Sequence, residues 1–177
     1  MNSRFIVIVA LALALCSPVQ AARSGTAAPA CTLQTLGEGS QIHVEQFKGK
    51  VVYVDFWASW CVPCVRSFPF MNELDREFRD RGLQVLTINL DEKLEDAQKF
   101  LAKHPARFIL AADRSGQCPR DFGVRGMPSS YLVDRQGIIR HVHLGFRPGD
   151  ARKLRALVEQ LLAEGAGTVP PVGGSAR

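Results

Sequence analysis

The chain has 177 residues, 46% of them hydrophobic and 22% charged, with a net charge of +5 at pH 7. That length supports one domain of ordinary size with a real core, and that composition excludes a disordered or fibrous chain. Charges of both signs are interspersed and no long basic run occurs, so the positive balance reads as a solvated surface and no nucleic-acid partner is expected.

The first residues carry an export signature. Arg4 precedes an apolar run from Phe5 to Leu15 that holds no charge, Gly or Pro. At about 11 residues it falls well short of the roughly 20 that a spanning helix needs. Ser17 and Pro18 break the run, and Val19-Gln20-Ala21 places small residues where a signal peptidase reads. Residues 1–21 are therefore expected to be a signal peptide, cut after Ala21 or Ala22, with the mature protein in the periplasm. A lipoprotein processed at Cys16 is the weaker alternative, because bulky Leu15 stands where a small residue belongs; an uncleaved anchor is the third. Residues 22–29 read as a flexible leader, 30–164 as the folded domain, and the Gly/Pro/Ser-rich stretch 165–177 as a disordered tail.

Within the domain, Thr32 to Leu36 and Gln41 to Val44 read as a short hairpin turning at Gly37 and Gly39. Lys50 to Phe56, rich in β-branched and aromatic residues, has the composition of a central strand buried on both faces. From Pro63 to Arg81 the period lengthens: Val65, Phe68, Met71, Leu74 and Phe78 recur at helical spacing, with Pro69 expected to kink that helix and Gly82 to end it. A second apolar strand runs from Leu83 to Leu90, a second amphipathic helix from Lys93 to Lys103, and a short strand from Phe108 to Ala111. The stretch through Gly116, Pro119 and Gly123 reads as irregular. Ser129 to Asp134 and Ile138 to Leu144 form a hairpin, and Asp150 caps a last helix that buries Leu154, Leu157, Val158 and Leu161. This order predicts an α/β sandwich around a mixed sheet.

The chemistry concentrates at Trp60-Cys61-Val62-Pro63-Cys64. Two cysteines three apart on the first turn of a helix have Cα atoms about 5–5.5 Å apart, a separation a disulfide accepts. Cys61 falls at the helix N-terminus, where free N–H groups and the dipole stabilise a thiolate, the attacking species in thiol–disulfide exchange. Cys64, one turn inside, resolves the mixed disulfide. Pro63 removes one N–H from the cluster around Cys61, which implies a moderate pKa depression. Asp55 shares a strand face with Tyr53, where a carboxylate is expensive unless paired or protonated. Its pKa is expected to rise by desolvation, which suits it to accept the Cys64 proton.

The segment Val54-Asp55-Phe56-Trp57-Ala58-Ser59-Trp60-Cys61-Val62-Pro63-Cys64 closely resembles the active-site segment of thioredoxins, the standard instance of such a motif. Pro69 and Gly126-Met127-Pro128 fall where that family has its helix-kinking proline and its cis-proline. Within the superfamily the chain resembles the exported TlpA/ResA-type proteins, on the N-terminal hairpin, Phe47-Lys48-Gly49-Lys50 and the insert around Lys93–Lys103; the likeness covers roughly 28–163. It implies a thioredoxin-like three-layer sandwich, a mixed β-sheet flanked by helices with an N-terminal β-hairpin. The implied activity is reduction of disulfides in exported partner proteins by Cys61, Cys64 and Asp55, with a membrane thiol-electron donor to re-reduce the pair. Trp60, Val62, Pro63, Met127 and Pro128 are the residues that would meet a partner, with Trp57 shielding the site. Cytochrome c apoproteins, copper-site proteins and misoxidised proteins all fit as substrates, and a monomer is expected. Three departures bear on this. Asp55 stands where the branch often has Asn, Thr87 where thioredoxin has a lysine near the buried acid, and Ser129 where the cytochrome-maturation branch commonly has Glu.

Competing readings use the same residues. An oxidase or isomerase runs the exchange in the opposite direction, and a metallochaperone holds Cu(I) between the two thiolates. A peroxiredoxin-like peroxidase needs a single peroxidatic Cys in a Thr/Pro setting, which WCxxC does not supply. Neither cofactor nor resident metal is expected: the redox equivalents sit in the Cys61–Cys64 pair, and His141-x-His143 reads as surface rather than as half of a four-ligand zinc site. Cys31 and Cys118 remain, and nothing in the sequence brings them together, so free or separately buried thiols are expected ahead of a structural disulfide.

Overall fold

The computed structural model describes residues 22–37 and 39–164. The expected signal peptide and C-terminal tail lie outside the described residues. In chain order the elements are β1 (Thr32–Thr35), β2 (Gln41–His43), β3 (Val51–Trp57), α1 (Val62–Phe78), β4 (Leu83–Asn89), α2 (Leu94–Lys103), β5 (Ile109–Ala112), α3 (Gln117–Phe122), β6 (Ser129–Val133), β7 (Ile139–Leu144) and α4 (Asp150–Glu164). A 3₁₀ turn at Val44–Phe47 follows β2.

The strands form one mixed sheet in the order β2-β1-β5-β4-β3-β6-β7. β3, β4 and β5 run parallel, as α1 and α2 crossovers require; β6 pairs antiparallel with β3, and β1 antiparallel with β5. All seven residues of β3 are buried, which is why its sequence shows no alternation.

Each face of the sheet has its own core. Tyr53 and Trp57 face the side covered by α1, α2 and α4, packing with Phe68, Phe70, Met71, Leu74, Phe100, Leu154 and Val158. Val52, Val54 and Phe56 face the opposite side, with Phe47, Phe122 and Tyr131. Helices on both faces of a mixed sheet make the three layers expected from the sequence.

Four local expectations are corrected. Residues 117–122 are helical rather than irregular: six residues containing a proline and flanked by glycines at φ +65° and +69° are too few to show a helical period. Val65 lies at the surface rather than in the core, at 36% exposed. The segment read as a flexible leader is hydrogen-bonded to the β6–β7 hairpin, through Gly25 N–H to Ile139 O at 2.7 Å, Ile139 N–H to Thr26 O at 2.8 Å and Ala28 N–H to Gly137 O at 2.8 Å. It covers main-chain groups that the hairpin would otherwise leave open.

The fourth concerns Cys31 and Cys118, which are not free thiols but a disulfide, with Cα atoms 5.4 Å apart. Gln34 pairs with Ala112 in the antiparallel β1–β5 register, so Cys31 is carried toward the chain that leaves β5. There Asp113 accepts the Cys118 N–H at 2.7 Å and seats α3 with Cys118 on its buried side. Both sulfurs belong to the core on the α3 face, away from Cys61 and Cys64.

Candidate active site

β3 and the N-terminus of α1 build the site. Cys61 N–H donates to Ala58 O at 3.0 Å, closing a turn that brings the chain from the strand end to the helix start. Ser59 within that turn is clamped by Asp91, which accepts both its backbone N–H (2.9 Å) and its hydroxyl (2.9 Å), while Asn89 Nδ2 donates to the same carboxylate at 2.8 Å. The clamp comes from the end of β4, so the sheet itself fixes the loop.

Cys61 is the N-cap of α1, with Pro63 in the first turn, and its Sγ accepts the Cys64 N–H at 3.3 Å. A helix N-terminus leaves backbone donors without intrahelical partners, and one of them points here at the Cys61 sulfur, an arrangement able to stabilise a thiolate there. Cys61 and Cys64 form a disulfide with Cα atoms 5.3 Å apart. Cys61 is 4% exposed and Cys64 not at all, an asymmetry that suits the first to attack and the second to resolve. Around them Trp60 and Val62 stand out at 69% and 73% exposed, an apolar rim beside the disulfide. Trp57 is fully buried against Phe68 and Phe100.

Met127–Pro128 is a cis peptide. Met127 packs against the core that contains Cys61 and Cys64, and Pro128 O accepts the Gly145 N–H at 2.8 Å, which ties the loop to the end of β7. Leu144, opposite Ser129 in the β6–β7 register, adds a further exposed apolar side chain there.

Asp55 lies between Tyr53 and Trp57 on the strand face that α1 covers, as ring contacts Tyr53–Phe70 and Trp57–Phe68 define. It is wholly buried. Its Oδ1 accepts the Ser130 hydroxyl at 2.6 Å, and Ser130 Oγ accepts the Tyr53 hydroxyl at 2.9 Å. Oδ2 has no hydrogen-bond partner. Burial pushes the Asp55 carboxyl up from 3.8 to about 7, against the opposing pull of the Ser130 hydrogen bond. Thr87 is level with Asp55 in the β3–β4 register, but its hydroxyl is directed to Ile109 O at 3.5 Å, so β4 gives the acid no partner.

Nothing local in the sequence marks Ser130, and Tyr53 reads there only as the neighbour of Asp55 on one strand face. Strand alternation from Pro128 turns Ser130 inward, but only the β3–β6 register sets it opposite Asp55. His143, of the His-x-His pair, bonds Asp150 through Nε2 at 3.1 Å, and its ring stacks on His141. Among the described residues no group of three or more His, Cys, Asp or Glu side chains is placed to hold a metal ion.

Comparison with known proteins agrees with this geometry. The Redoxin family model matches residues 23–161. Thiol-disulfide oxidoreductase ResA of Geobacillus thermodenitrificans is 32% identical over 121 residues, 68% of this chain and 69% of that protein. Its counterpart in Bacillus thuringiensis is 34% identical over 100 residues; the match spans 56% of this chain and only 58% of that relative's length. Among solved structures, a Chlorobium tepidum chain described as a thiol:disulfide interchange protein DsbE is 44% identical, with a TM-score of 0.76 over 80% of this chain and 99% of its own. The thioredoxin domain of a Bacteroides vulgatus thiol-disulfide oxidoreductase superposes with a TM-score of 0.71 at 27% identity, covering 79% of this chain and 98% of that one. With the fold, the paired cysteines and the cis-proline in place, the chain belongs to the Redoxin family as a TlpA/ResA-like member of the thioredoxin-fold oxidoreductases.

Proposed function

We propose that this protein is an exported, periplasmic thiol–disulfide oxidoreductase that reduces disulfides in partner proteins. The observation that carries the reading is the Cys61–Cys64 disulfide on the first turn of α1, with the buried Asp55, its carboxyl pushed up to about 7, on the strand face which that helix covers.

The cycle starts from the dithiol. Cys61, as thiolate, attacks one sulfur of the partner's disulfide; the new S–S bond forms as the old one breaks, and the departing sulfur takes the electron pair and then a proton from solvent. Cys64 then gives its proton to Asp55, and its sulfur attacks Cys61. The Cys61–Cys64 bond forms, and the bond to the partner breaks with its electron pair on the partner's sulfur. That sulfur takes a proton from solvent, and the partner leaves with two thiols. Two electrons have passed from enzyme to partner. Because an exported protein works in an oxidising compartment, a membrane thiol-electron donor is required to restore the dithiol. The exposed Trp60 and Val62, with the half-buried Met127, form the apolar surface offered to the partner; cis-Pro128 is itself buried, so it would meet a partner only through main-chain atoms.

Equilibrating the purified protein against a dithiol buffer and trapping free thiols tests the direction of flow. A potential near that of thioredoxin, about −270 mV, supports a reductase. One near about −120 mV makes the protein a disulfide donor. Stoichiometric Cu(I) binding without insulin reduction would replace both with a metal-carrying role.

A further inference from the structure

Two buried hydroxyls adjoin the site without taking part in the exchange chemistry. Tyr53 and Asp55 lie on the α1-facing side of β3, and the antiparallel β3–β6 register sets Ser130 level with Asp55. Tyr53 and Asp55 are fully buried and Ser130 nearly so, at 3% exposed. The order of donation is fixed by the hydrogen count. A hydroxyl has one hydrogen to give, and a carboxylate has none. Ser130 therefore gives its hydrogen to Asp55 Oδ1 at 2.6 Å, and the Tyr53 hydroxyl, 2.9 Å from Ser130 Oγ, is the donor at the start of the chain. Oδ1 is occupied by the Ser130 hydrogen, and Oδ2 has no partner. A proton arriving at Asp55 has one favourable place to go, which is Oδ2.

We infer that Tyr53 and Ser130 are positioning residues for thiol–disulfide exchange, their hydrogen-bond chain holding the Asp55 carboxylate so that Oδ2 is the atom that takes the Cys64 proton. The assignment rests on the proposed function for the role of Cys64. In that step the Cys64 S–H bond breaks and its proton passes to Oδ2. The electron pair left on sulfur forms the bond to Cys61, while the Cys61–partner bond breaks and its pair leaves with the partner's sulfur.

The same chain sets how acidic Asp55 is. Burial raises its pKa and the Ser130 bond lowers it. Tyr53 itself is pushed well above its ordinary range, by burial first and by the Asp55 charge second, so it stays protonated and remains a donor. Other titratable groups on this side include Cys61 and Cys64 on α1, the buried Asp75 of the same helix with its partner Arg79, Asp150 at the start of α4, whose charge reaches Tyr53, His143 on β7, level with Ser130 and bonded to Asp150, and His141, which stacks on His143. β4 contributes the uncharged Thr87. None of these is altered by removing a hydroxyl from residue 53 or 130, so their influence is common to the proteins compared.

The deciding experiment is titration of the Asp55 carboxyl carbon by NMR in the oxidised protein, where Cys61 and Cys64 are joined and do not titrate. Ser130→Ala is expected to raise the Asp55 midpoint by about one pH unit or more, the size of a lost hydrogen bond to a charged acceptor. Tyr53→Phe leaves the Ser130 hydroxyl in place but unpolarised, and is expected to raise the midpoint by less. In the reduced protein, the pH at which a mixed disulfide on Cys61 is resolved should move the same way. A Ser130→Ala midpoint that is unchanged or lower, or a Tyr53→Phe shift larger than that of Ser130→Ala, would overturn the assignment. Insulin reduction by the unaltered protein is measured alongside: its absence sinks the proposed function, whereas an unmoved titration sinks only the positioning roles.

Discussion

Asp55→Asn should make this protein more stable at neutral pH and alter its stability little in acid. The side chain sits wholly buried with one oxygen unpartnered, and its carboxyl titrates at about 7 instead of 3.8. In the unfolded chain the acid ionises as pH passes its ordinary value, while the folded protein resists ionisation until about 7. The stability contributed by the neutral folded acid is therefore fully present below about pH 3.8 and is lost as pH rises to about 7. Each factor of ten in proton affinity is worth about 1.4 kcal/mol, so the loss across that window is about 4 kcal/mol. Asparagine has the shape of the neutral acid, keeps an oxygen for Ser130 and does not ionise. The assay is urea unfolding of both oxidised proteins between pH 4 and pH 8, with Cys61–Cys64 intact so that no thiol titrates. The gap between variant and parent should open in favour of Asn by about 4 kcal/mol over that range, a large fraction of a typical domain's stability. A gap that stays constant with pH would refute the raised pKa and, with it, the case for Asp55 as proton acceptor.

Cys64→Ser leaves Cys61 able to attack but removes the resolving sulfur, so it should accumulate partners as mixed disulfides on non-reducing gels, while Cys61→Ser should trap none. Removing both Cys31 and Cys118 opens a link between positions 87 residues apart, and is expected to lower stability by about 3–5 kcal/mol in denaturant unfolding. Insulin reduction should survive that change, because the bridge lies on the sheet face opposite Cys61 and Cys64. Trp60→Ala should shift stability by no more than about 0.5 kcal/mol, since the ring is largely in solvent. It should raise the KM for a protein disulfide several-fold while leaving a small disulfide substrate unaffected, and equal losses on both would remove Trp60 from partner docking.

Much of this fold was legible along the chain because it is written in local periodicity. β3 announces itself by an unbroken apolar run, α1 by apolar residues three and four apart, and α3 is too short to do so. Cys61 and Cys64 were equally legible, since their chemistry depends on spacing and on the helix they begin, both local properties. The raised pKa of Asp55 was legible because a carboxylate in an apolar strand is costly and therefore conspicuous.

What the tertiary structure decided are the pairings between distant segments. Cys31 meets Cys118 because β1 returns beside β5 and Asp113 seats the helix that follows; the pairing of β1 with β5 joins segments far apart in the chain. Residues 22–29 are held by a hairpin more than a hundred positions away. Ser130 reaches Asp55 across 75 positions through a strand register, and with Tyr53 leaves Oδ2 as the open oxygen. Spacing along a chain specifies which groups share a helix turn or a strand face. Which groups touch across a sheet depends on the order and register in which strands assemble, and that is set by burial of the whole core at once.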